Sequence, residues 1–171
     1  GSDELLCKSF PEVDHIPHHH HPGNSPGMVD GASLALLATG EMAASLGLPV
    51  RAEIIGFSAK SAAAIEGLTG GYAAAKDVLE RTGIAGEDID LWEFNEGFAA
   101  TAMNFAKQLD VPLDRYNVNG GGIAMGHAMG ATGVNILGMM IDELERRKKH
   151  TGLIAISGAA GAGAAMIVKI N

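Results

Sequence analysis

The sequence predicts an α/β fold in which helices are layered on a mixed five-stranded sheet. Short apolar runs alternate along the chain with longer segments whose apolar residues recur at helical spacing, which is typical of that class. Glycine occurs 24 times and follows several of the helical segments, as expected at helix ends and tight turns. At 171 residues, the chain is long enough for one such domain with a buried core.

The start of the chain is predicted to be irregular, because prolines and glycines interrupt residues 3–31 at high density. Gly1-Ser2 resembles residues left by cloning, so we expect the true start to be hidden. The apolar run at 33–38 predicts a buried strand. Residues 41–46 predict a short helix, which Gly47 ends.

The middle of the chain alternates strands with helices. Residues 51–57 partly alternate apolar and polar side chains, which predicts a strand. Residues 72–82 place alanine, valine and leucine on one helical face and are followed by Gly83, so they predict a helix. Residues 90–94 predict the next strand, and residues 98–109 predict the helix after it.

The last third contains two glycine-rich stretches and the closing elements. Residues 117–130 predict a glycine-rich loop, and residues 131–147 predict a helix whose acidic residues precede a basic run, as the helix dipole favours. We interpret the basic run at 146–150 as a solvated helix end. Strands are predicted at 153–156 and 165–170, on either side of the second glycine-rich stretch.

Composition and charge exclude several classes of protein. Twelve basic and 20 acidic residues give a net charge of −8, the wrong sign for a protein that binds nucleic acid through phosphates. The single cysteine, Cys7, excludes an internal disulfide framework and fits a reducing compartment, which we expect to be the cytoplasm. No apolar run reaches the roughly 18 residues of a membrane-spanning helix, and no signal peptide is recognisable.

Polar groups occur beside glycine-rich backbone at three points next to predicted strands. In residues 92–99, Asn95 either positions a hydrogen-bond donor or caps the helix that follows. In residues 117–133, His127 stands among small residues, where it either serves as base and then acid or packs under a turn. This second stretch contains neither the dinucleotide-binding fingerprint nor a phosphate-binding Gly-Lys-Ser/Thr.

The third point is residues 156–163, which either offer backbone N–H groups to an oxyanion or form a tight β-hairpin against a neighbour. Ser157 lies in this stretch but lacks the Gly-x-Ser-x-Gly elbow of serine nucleophiles. Elsewhere, His15 and the four histidines at 18–21 either bind a metal ion or form a solvated loop. We favour the loop, because adjacent residues rarely converge on one ion, and we predict no metal site.

Four segments, in this order, resemble the thiolases, acyl-CoA acyltransferases that make or cleave 3-ketoacyl-CoA by Claisen chemistry. Residues 23–32 are similar to that family's Gly-Asn-x-Ser-Gly-x-x-Asp-Gly-Ala segment, and residues 95–99 to its Asn-Glu-Ala-Phe-Ala segment. Residues 117–121 and 126–130 are similar to its Asn-x-Asn-Gly-Gly and Gly-His-Pro-x-Gly segments. Four segments in the family's order are a far more specific signal than any one of them.

The resemblance covers about residues 23–171 and corresponds to the C-terminal half of the family. It implies that residues 23–171 form a thiolase C-terminal domain, one half of a duplicated fold, after an irregular lead-in at residues 1–22. Such a half exposes an apolar layer, so an N-terminal half in the same or a separate chain is implied, as is a homo- or hetero-oligomer. The N-terminal half carries the family's nucleophilic cysteine.

The resemblance also implies an active site for acyl-CoA. His127 activates the nucleophilic cysteine and donates to one oxyanion, and Asn95 holds a water at that oxyanion. The backbone around Ala159 contributes to a second oxyanion hole. The implied substrate-binding residues are Gly97, Phe98, Gly126, Ala159 and Pro26. Coenzyme A enters as part of the substrate, no bound cofactor is expected, and the histidines at 18–21 are a candidate cover for the coenzyme A side.

The chain departs from the family pattern at several positions. Ser157 stands where the family has its acid/base cysteine, and a serine hydroxyl is a poor base for an α-proton. Ala128 replaces the family's proline, and Pro26 replaces a serine of the pantetheine-side loop. Cys7 does not replace the nucleophile, because it lies in the irregular lead-in with only Lys8 as a nearby cation.

The sequence therefore predicts a thiolase-type acyltransferase of lipid metabolism that acts on acyl-CoA and 3-ketoacyl-CoA together with an N-terminal half. Ser157 keeps two alternatives open: a non-catalytic thiolase-like subunit that binds acyl-CoA or stabilises a partner, and a thiolase-like carbon–carbon lyase of retro-aldol type. The presence of Asn95 and His127 favours the enzyme.

Overall fold

The computed structural model describes residues 1–170, except the side chain at position 64, and its helices and strands form an α/β arrangement around one sheet. In chain order the elements are α1 (Ser2–Ser9), α2 (Gly40–Ser45), β1 (Glu53–Ser61), α3 (Gly70–Thr82), β2 (Leu91–Phe94), α4 (Ala99–Gln108), α5 (Gly122–Met125), α6 (Thr132–Arg147), β3 (Thr151–Ser157) and β4 (Ala162–Lys169).

The four strands form one mixed sheet in the order β1-β4-β3-β2. Strands β2 and β3 are parallel, whereas β4 is antiparallel to both of its neighbours, β3 and β1. The register of the parallel pair places Phe94 beside Ala155. Because neighbouring parallel strands end at the same edge of a sheet, the residues that follow β2 and β3 share one edge.

Helices pack on both faces of the sheet, although most residues of β1 remain exposed. Alternate residues of each strand point to opposite faces. On one face, Trp92 and Phe94 of β2 pack with Phe105 of α4 and with the small side chains of α3. On the other face, Leu91 packs with three buried residues of α6. Those three are Ile136, Met140 and Leu144, which recur at helical spacing.

Two glycines allow α3 to approach the sheet so closely. A Cβ atom at Gly163 of β4 would collide with the backbone of Gly70, the first residue of α3. A Cβ atom at Gly71 would lie 2.7 Å from Ser157 Oγ and 2.8 Å from a ring carbon of Phe94. The start of α3 therefore touches the ends of β2 and β3 directly, which brings its N–H groups to the edge that carries Ser157.

The predicted strand at 33–38 is wrong, and the sheet has four strands rather than five. These residues form no helix or strand, and their leucines are largely exposed: Leu34 by 95%, Leu36 by 77% and Leu37 by 70%. The segment lies against the turn before α6, where Ser33 Oγ donates to the carbonyl of Ala131 at 2.8 Å. Residues 33–38 pair with none of the four strands, so their apolar character alone does not make them a strand.

The prediction of an irregular start is also partly wrong, because Ser2–Ser9 forms α1. Asp3 and Glu4 lie in its first turn and Lys8 in its last, which is the charge order that a helix dipole favours. None of its residues is buried, so local propensity and charge rather than packing account for this helix. The chain leaves it just before Pro11, a residue that a helix interior does not accommodate.

The remaining predicted helices and strands are confirmed to within a few residues, whereas the predicted loop at 117–130 contains the short helix α5. Gly83 ends α3 with a φ of +70°, the left-handed conformation that glycine adopts without strain. The basic run after α6 is exposed, and Arg146 and Arg147 both bind the buried carboxylate of Glu143. These guanidinium groups, Arg146 above all, lower the pKa of Glu143 to about 2. Within residues 1–170, no helix combines the length and the apolar character that crossing a membrane requires.

Candidate active site

The shared edge of β2 and β3 carries two of the predicted site residues. Asn95 immediately follows β2, and its backbone N–H donates to the carbonyl of Ala155 at 3.0 Å. Ser157 is the last residue of β3. The structure therefore brings Asn95 and Ser157 to one edge of the sheet, although 62 positions of sequence separate them.

The side chain of Asn95 is not a helix cap. Helix α4 begins at Ala99, and Phe98 is its N-cap residue, where the hydroxyl of Thr101 accepts from the backbone N–H of Phe98. Asn95 is only 4% exposed, and within residues 1–170 its Oδ1 atom has no hydrogen-bond partner. A buried, unpaired amide oxygen costs about 1–3 kcal/mol, so the capping interpretation is replaced by that of a polar group held inside the site.

His127 lies at the end of the glycine-rich loop, half-buried. Its backbone N–H donates to the carbonyl of Gly27 at 2.8 Å, and its Nδ1 atom forms a 2.8 Å hydrogen bond with Oγ1 of Thr132. Thr132 is itself buried at the start of α6, so it fixes the imidazole ring. With Nδ1 held in this way, Nε2 is the ring nitrogen that could exchange a proton with a bound molecule.

Pro26 and Gly126 link the early part of the chain to this loop. Gly126 has a φ of +88°, and a Cβ atom there would lie 2.5 Å from a methyl carbon of Val29. A Cβ atom at Gly122 would lie 3.8 Å from Pro26 Cβ and 3.5 Å from Asn95 Oδ1. The glycine-rich loop therefore lies between Pro26 and Asn95. Position 126 has no room for a residue larger than glycine.

The hydroxyl of Ser157 is already engaged by α3. The backbone N–H of Gly71, in the first turn of that helix, donates to Ser157 Oγ at 2.8 Å. N–H groups in a first helical turn have no partner within the helix and favour a negative or electron-rich atom. Ser157 thus satisfies one of these donors of α3, and a more acidic side chain at this position would be stabilised as an anion.

The stretch around Ala159 is a β-hairpin connection. Strands β3 and β4 pair antiparallel, and Ala159–Gly161 forms one 3-10 turn between them. Ala160 and Gly161 have φ values of +56° and +82°. The hairpin interpretation is therefore confirmed, and the exposed Ala159 leaves its backbone at the rim of the edge that carries Ser157.

Gly97 and Phe98 stand beside the histidine run. A groove of about 380 Å³ is lined by Phe98, Pro26 and two histidines, together with Pro22, Ser25 and Gly27. The ring of His20 lies 4.9 Å from that of Phe98, centre to centre. The side chain of Leu68 would contact a Cβ atom at Gly97 at 3.1 Å. The solvated-loop interpretation holds for these histidines, which are all exposed.

Two residues that sequence reasoning missed hold the site together. The carboxylate of Glu96 accepts from the backbone N–H of Ile123 at 3.0 Å and from Asn117 Nδ2 at 3.2 Å. Asn117 in turn binds both backbone groups of Phe94, at 2.8 and 3.1 Å. The signal was in the sequence, because Glu96 adjoins Asn95 and Asn117 opens the glycine-rich loop, but nothing in the spacing showed that the two side chains meet.

Besides the carboxylate of Glu96, the site contains the carboxyl group of Glu93. Glu93 is 5% exposed, and within the described residues its Oε1 atom has no hydrogen-bond partner. Burial, with a smaller contribution from the charge of Glu96, raises the pKa of Glu93 to about 8. Burial likewise raises the pKa of Tyr116, and both glutamates add to that rise. Glu93 therefore retains its proton at neutral pH, beside a charged Glu96.

A second groove, of about 650 Å³, follows the outer face of α4. Its lining is mostly apolar and includes Met103 and Leu113, which are 72% and 77% exposed. Over the part of the chain that the structure describes, no group of three or more histidine, cysteine, aspartate or glutamate side chains is arranged to hold a metal ion. The partly exposed Cys7 lies on α1.

Comparisons with known proteins agree with this architecture. Residues 48–170 match the family described as Thiolase, C-terminal domain. The chain is 38% identical over 148 residues to an acetyl-CoA acetyltransferase of Thiocystis violacea, a match that covers 86% of this chain and 37% of that protein. It is 39% identical over 153 residues to the 3-oxoadipyl-CoA/3-oxo-5,6-dehydrosuberyl-CoA thiolase of Escherichia coli strain K12, with 86% and 37% covered.

Among solved structures, the crystal structure of the Bacillus anthracis acetyl-CoA acetyltransferase is similar, with a TM-score of 0.83 and 35% sequence identity. The similarity covers 88% of this chain and 38% of that one. The chain thus spans less than two-fifths of the length of the relatives it matches.

Proposed function

The chain belongs to the thiolase family, whose C-terminal domain it contains, and from that premise we propose that it supplies half of a thiolase-type active site. In this proposal the substrates are acyl-CoA and 3-ketoacyl-CoA thioesters, and the reaction is Claisen condensation or its thiolytic reverse. Relatives described as an acetyl-CoA acetyltransferase and a beta-ketoadipyl-CoA thiolase support this substrate class.

The observation that carries the proposal is the meeting of three segments at one sheet edge. Asn95 follows β2, Ser157 ends β3, and the loop that bears His127 packs onto Asn95 through Gly122 and Pro26. Claisen chemistry needs a base, donors for two oxyanions and backbone access for a thioester. An imidazole held through Nδ1, a buried amide and a glycine-rich surface supply those groups.

Each residue has a role in the proposal. His127 activates the nucleophilic thiol through Nε2 and then donates to the thioester oxyanion, while Asn95 orders a water at that oxyanion. The backbone around Ala159 supplies donors to the second oxyanion. Phe98, Gly97 and Pro26 border the groove for the pantetheine arm of coenzyme A, which enters as substrate and not as a bound cofactor.

The nucleophilic cysteine comes from an N-terminal half, in the same chain or a separate one. Support comes from the span of the match, since the relatives are more than twice as long as the part they share with this chain. Further support comes from the exposed leucines at positions 34, 36 and 37, an apolar strip that a second domain would cover. We propose that the complete unit works as an oligomer in coenzyme A-dependent lipid metabolism.

One specific observation favours a second candidate, a carbon–carbon lyase of retro-aldol type. Ser157 has its hydroxyl bound by the N–H of Gly71 and replaces the thiol that removes an α-proton in a Claisen condensation. In a retro-aldol cleavage, His127 would take the proton of a 3-hydroxyl group. The Cα–Cβ bond then breaks, a carbonyl forms at Cβ, and the electron pair becomes the thioester enolate, which is protonated.

The test is thiolysis of acetoacetyl-CoA by the chain co-purified with its N-terminal half. Wild type, His127→Ala and Ser157→Cys are compared. We expect His127→Ala to lower kcat by roughly 10²- to 10⁴-fold, because a positioned acid–base group is lost. Robust wild-type turnover that disappears in His127→Ala would contradict a purely structural subunit.

If the wild-type pair shows no thiolysis but the Ser157→Cys pair is active, the serine blocks Claisen chemistry. The acyltransferase proposal then fails for the natural chain. The lyase is then tested directly with a 3-hydroxyacyl-CoA that bears no keto group. Release of an aldehyde or ketone, dependent on His127, would support it. No release would leave the non-catalytic subunit as the function.

A further inference from the structure

The two principal site residues lie on different parts of the chain, and a specific contact must set their relative positions. Asn95 follows β2, whereas His127 follows α5 and the glycine-rich loop. The carboxylate of Glu96 bridges these parts. One oxygen, Oε2, accepts from Ile123 N–H at 3.0 Å at the start of α5, and the other, Oε1, accepts from Asn117 Nδ2 at 3.2 Å.

Asn117 extends the bridge back to β2. Its Oδ1 atom accepts from the backbone N–H of Phe94 at 2.8 Å, and its Nδ2 atom donates to the carbonyl of Phe94 at 3.1 Å. Its own N–H donates to the carbonyl of Trp92 at 2.9 Å. The amide side chain thus pairs with β2 as a neighbouring strand would, and Asn117 has a φ of +43°, which turns the chain toward Glu96.

The loop is shaped to receive this carboxylate. A Cβ atom at Gly121 would overlap the carboxyl group of Glu96, so any larger residue there would displace that carboxylate. Gly121 is buried, and α5 begins at the next residue. Helix α5 ends at Met125, and its C-cap residue, Gly126, directly precedes His127. A displacement of Glu96 would therefore move the start of the short helix that leads to the imidazole.

We propose that Glu96 is the positioning residue of the site, and that its carboxylate fastens the glycine-rich loop bearing His127 to the strand end bearing Asn95. This role rests on the proposed function. Glu96 does not touch the reacting atoms. It acts through Ile123 and Asn117, and a carboxylate suits the task because it accepts from two N–H donors at once, whereas an amide offers a single acceptor oxygen.

The first test is Glu96→Gln in the co-purified pair, with Glu87→Gln as the control, an exposed carboxylate on the same chain. In Glu96→Gln, an amide nitrogen replaces one carboxylate oxygen, faces an N–H donor and repels it. We expect kcat for thiolysis to fall by roughly 10- to 100-fold, because small misplacements of catalytic groups have effects of that size. The KM for acetoacetyl-CoA should change by no more than about twofold, since the groove around Phe98 is untouched.

A second variant, Gly121→Ala, disturbs the contact between Glu96 and the glycine-rich loop without changing any charge. Gly121→Ala places a methyl group on the Glu96 carboxyl group, whereas Gly138→Ala in α6 meets nothing within 4 Å and serves as its control. If both changes act through one contact, the double variant Glu96→Gln/Gly121→Ala should be little worse than either single variant. Effects on kcat that simply multiply would overturn the proposal.

A readout independent of catalysis is amide hydrogen exchange of Ile123 in the full 171-residue chain. We expect Glu96→Gln to accelerate this exchange by about tenfold and Glu87→Gln to leave it unchanged. Unchanged Ile123 exchange, or equal kcat in the two glutamate variants, would overturn the positioning role. If the wild-type pair shows no thiolysis, the proposed function fails, and Ile123 exchange alone then decides whether Glu96 fastens the loop.

Discussion

Residues 48–170 and residues 23–47 differ in how far their large apolar side chains are exposed to solvent. The first region buries three of its aromatic residues, Trp92, Phe94 and Phe105, each only 1% exposed. The second region turns its leucines outward, and Leu34 is 95% exposed. Both regions are apolar in sequence, so composition does not account for the difference.

The two regions differ in the packing partners that the chain itself provides for them. Every strand of the first region has a neighbour, and helices pack on both faces of its sheet. The second region contacts the loop of the candidate site through Pro26 and Gly27, but it has no strand partner among residues 1–170. One region is built to close on itself. The other leaves the leucines at positions 34, 36 and 37 exposed.

The largest expected effect is on the free energy of unfolding, which should respond to a substitution in the first region much more than to one in the second. Phe105 stacks on Phe94, with ring centres 4.3 Å apart, and fills the core between α4 and β2. We expect Phe105→Ala to lower the free energy of unfolding by about 3–5 kcal/mol, because it removes a buried ring and leaves a cavity. Leu36→Ala should change it by less than about 0.5 kcal/mol in the chain alone.

Denaturant unfolding of the full chain measures both values, with Met103→Ala on the exposed side of α4 as the control for Phe105. A loss of several kcal/mol from Leu36→Ala in the chain alone would mean that the strip is buried in solution. The contrast between the regions would then be wrong.

The next effect concerns pH and lies wholly in the first region. The pKa of Glu93 is raised from its ordinary value of 4.5 to about 8, by burial first and by the charge of Glu96 second. Between these values the folded chain keeps a proton that the unfolded chain has lost. Stability should therefore fall as pH rises from about 4.5 to about 8, by up to about 1.4 kcal/mol per pH unit, and then level off.

Glu93→Gln isolates this effect, because the amide keeps the shape of the carboxyl group and cannot ionise. The groups that face Glu93 electrostatically, Glu96 and Tyr116, are retained in the variant. We expect the two proteins to be equally stable near pH 4.5 and the variant to be more stable at pH 8. Parallel stability curves across this range would show that Glu93 is ionised in the folded state.

The sequence predicted the elements of the first region well, whereas in the second it predicted α2 correctly but also a strand at 33–38 that does not form. Segments such as 72–82 carry their own signals, a helical stripe and a terminal glycine, and they pack within the chain. The run at 33–38 has the apolar character of a strand, but a strand also needs a neighbour. Periodicity records what a segment can bury and not whether a partner is present.

The site shows the same limit at closer range. The order of the motifs pointed to Asn95, His127 and Ser157. Asn95 and Ser157 lie where the parallel strands β2 and β3 end, and His127 lies in the loop that packs against Asn95. The sequence did not reveal that Glu96 binds Ile123 or that the N–H of Gly71 binds Ser157. Such contacts depend on the register of separate elements, which residue types alone do not determine.

The smallest expected effect tests how the two regions are joined. Ser33 Oγ donates to the carbonyl of Ala131, one link between the exposed segment and the turn before α6. Loss of one such hydrogen bond costs about 1 kcal/mol, so Ser33→Ala should raise the rate of limited proteolysis within residues 33–39 roughly fivefold. The denaturation midpoint of the chain should stay within error, because the core of residues 48–170 does not depend on this bond.

Ser45→Ala is the matched control, since that hydroxyl binds only within its own helix, at the carbonyl of Met42. It should leave cleavage within residues 33–39 unchanged. If Ser33→Ala instead lowered global stability and local resistance together, the segment would unfold with the core as one unit. Faster local cleavage at constant global stability would show that the segment opens independently of the core.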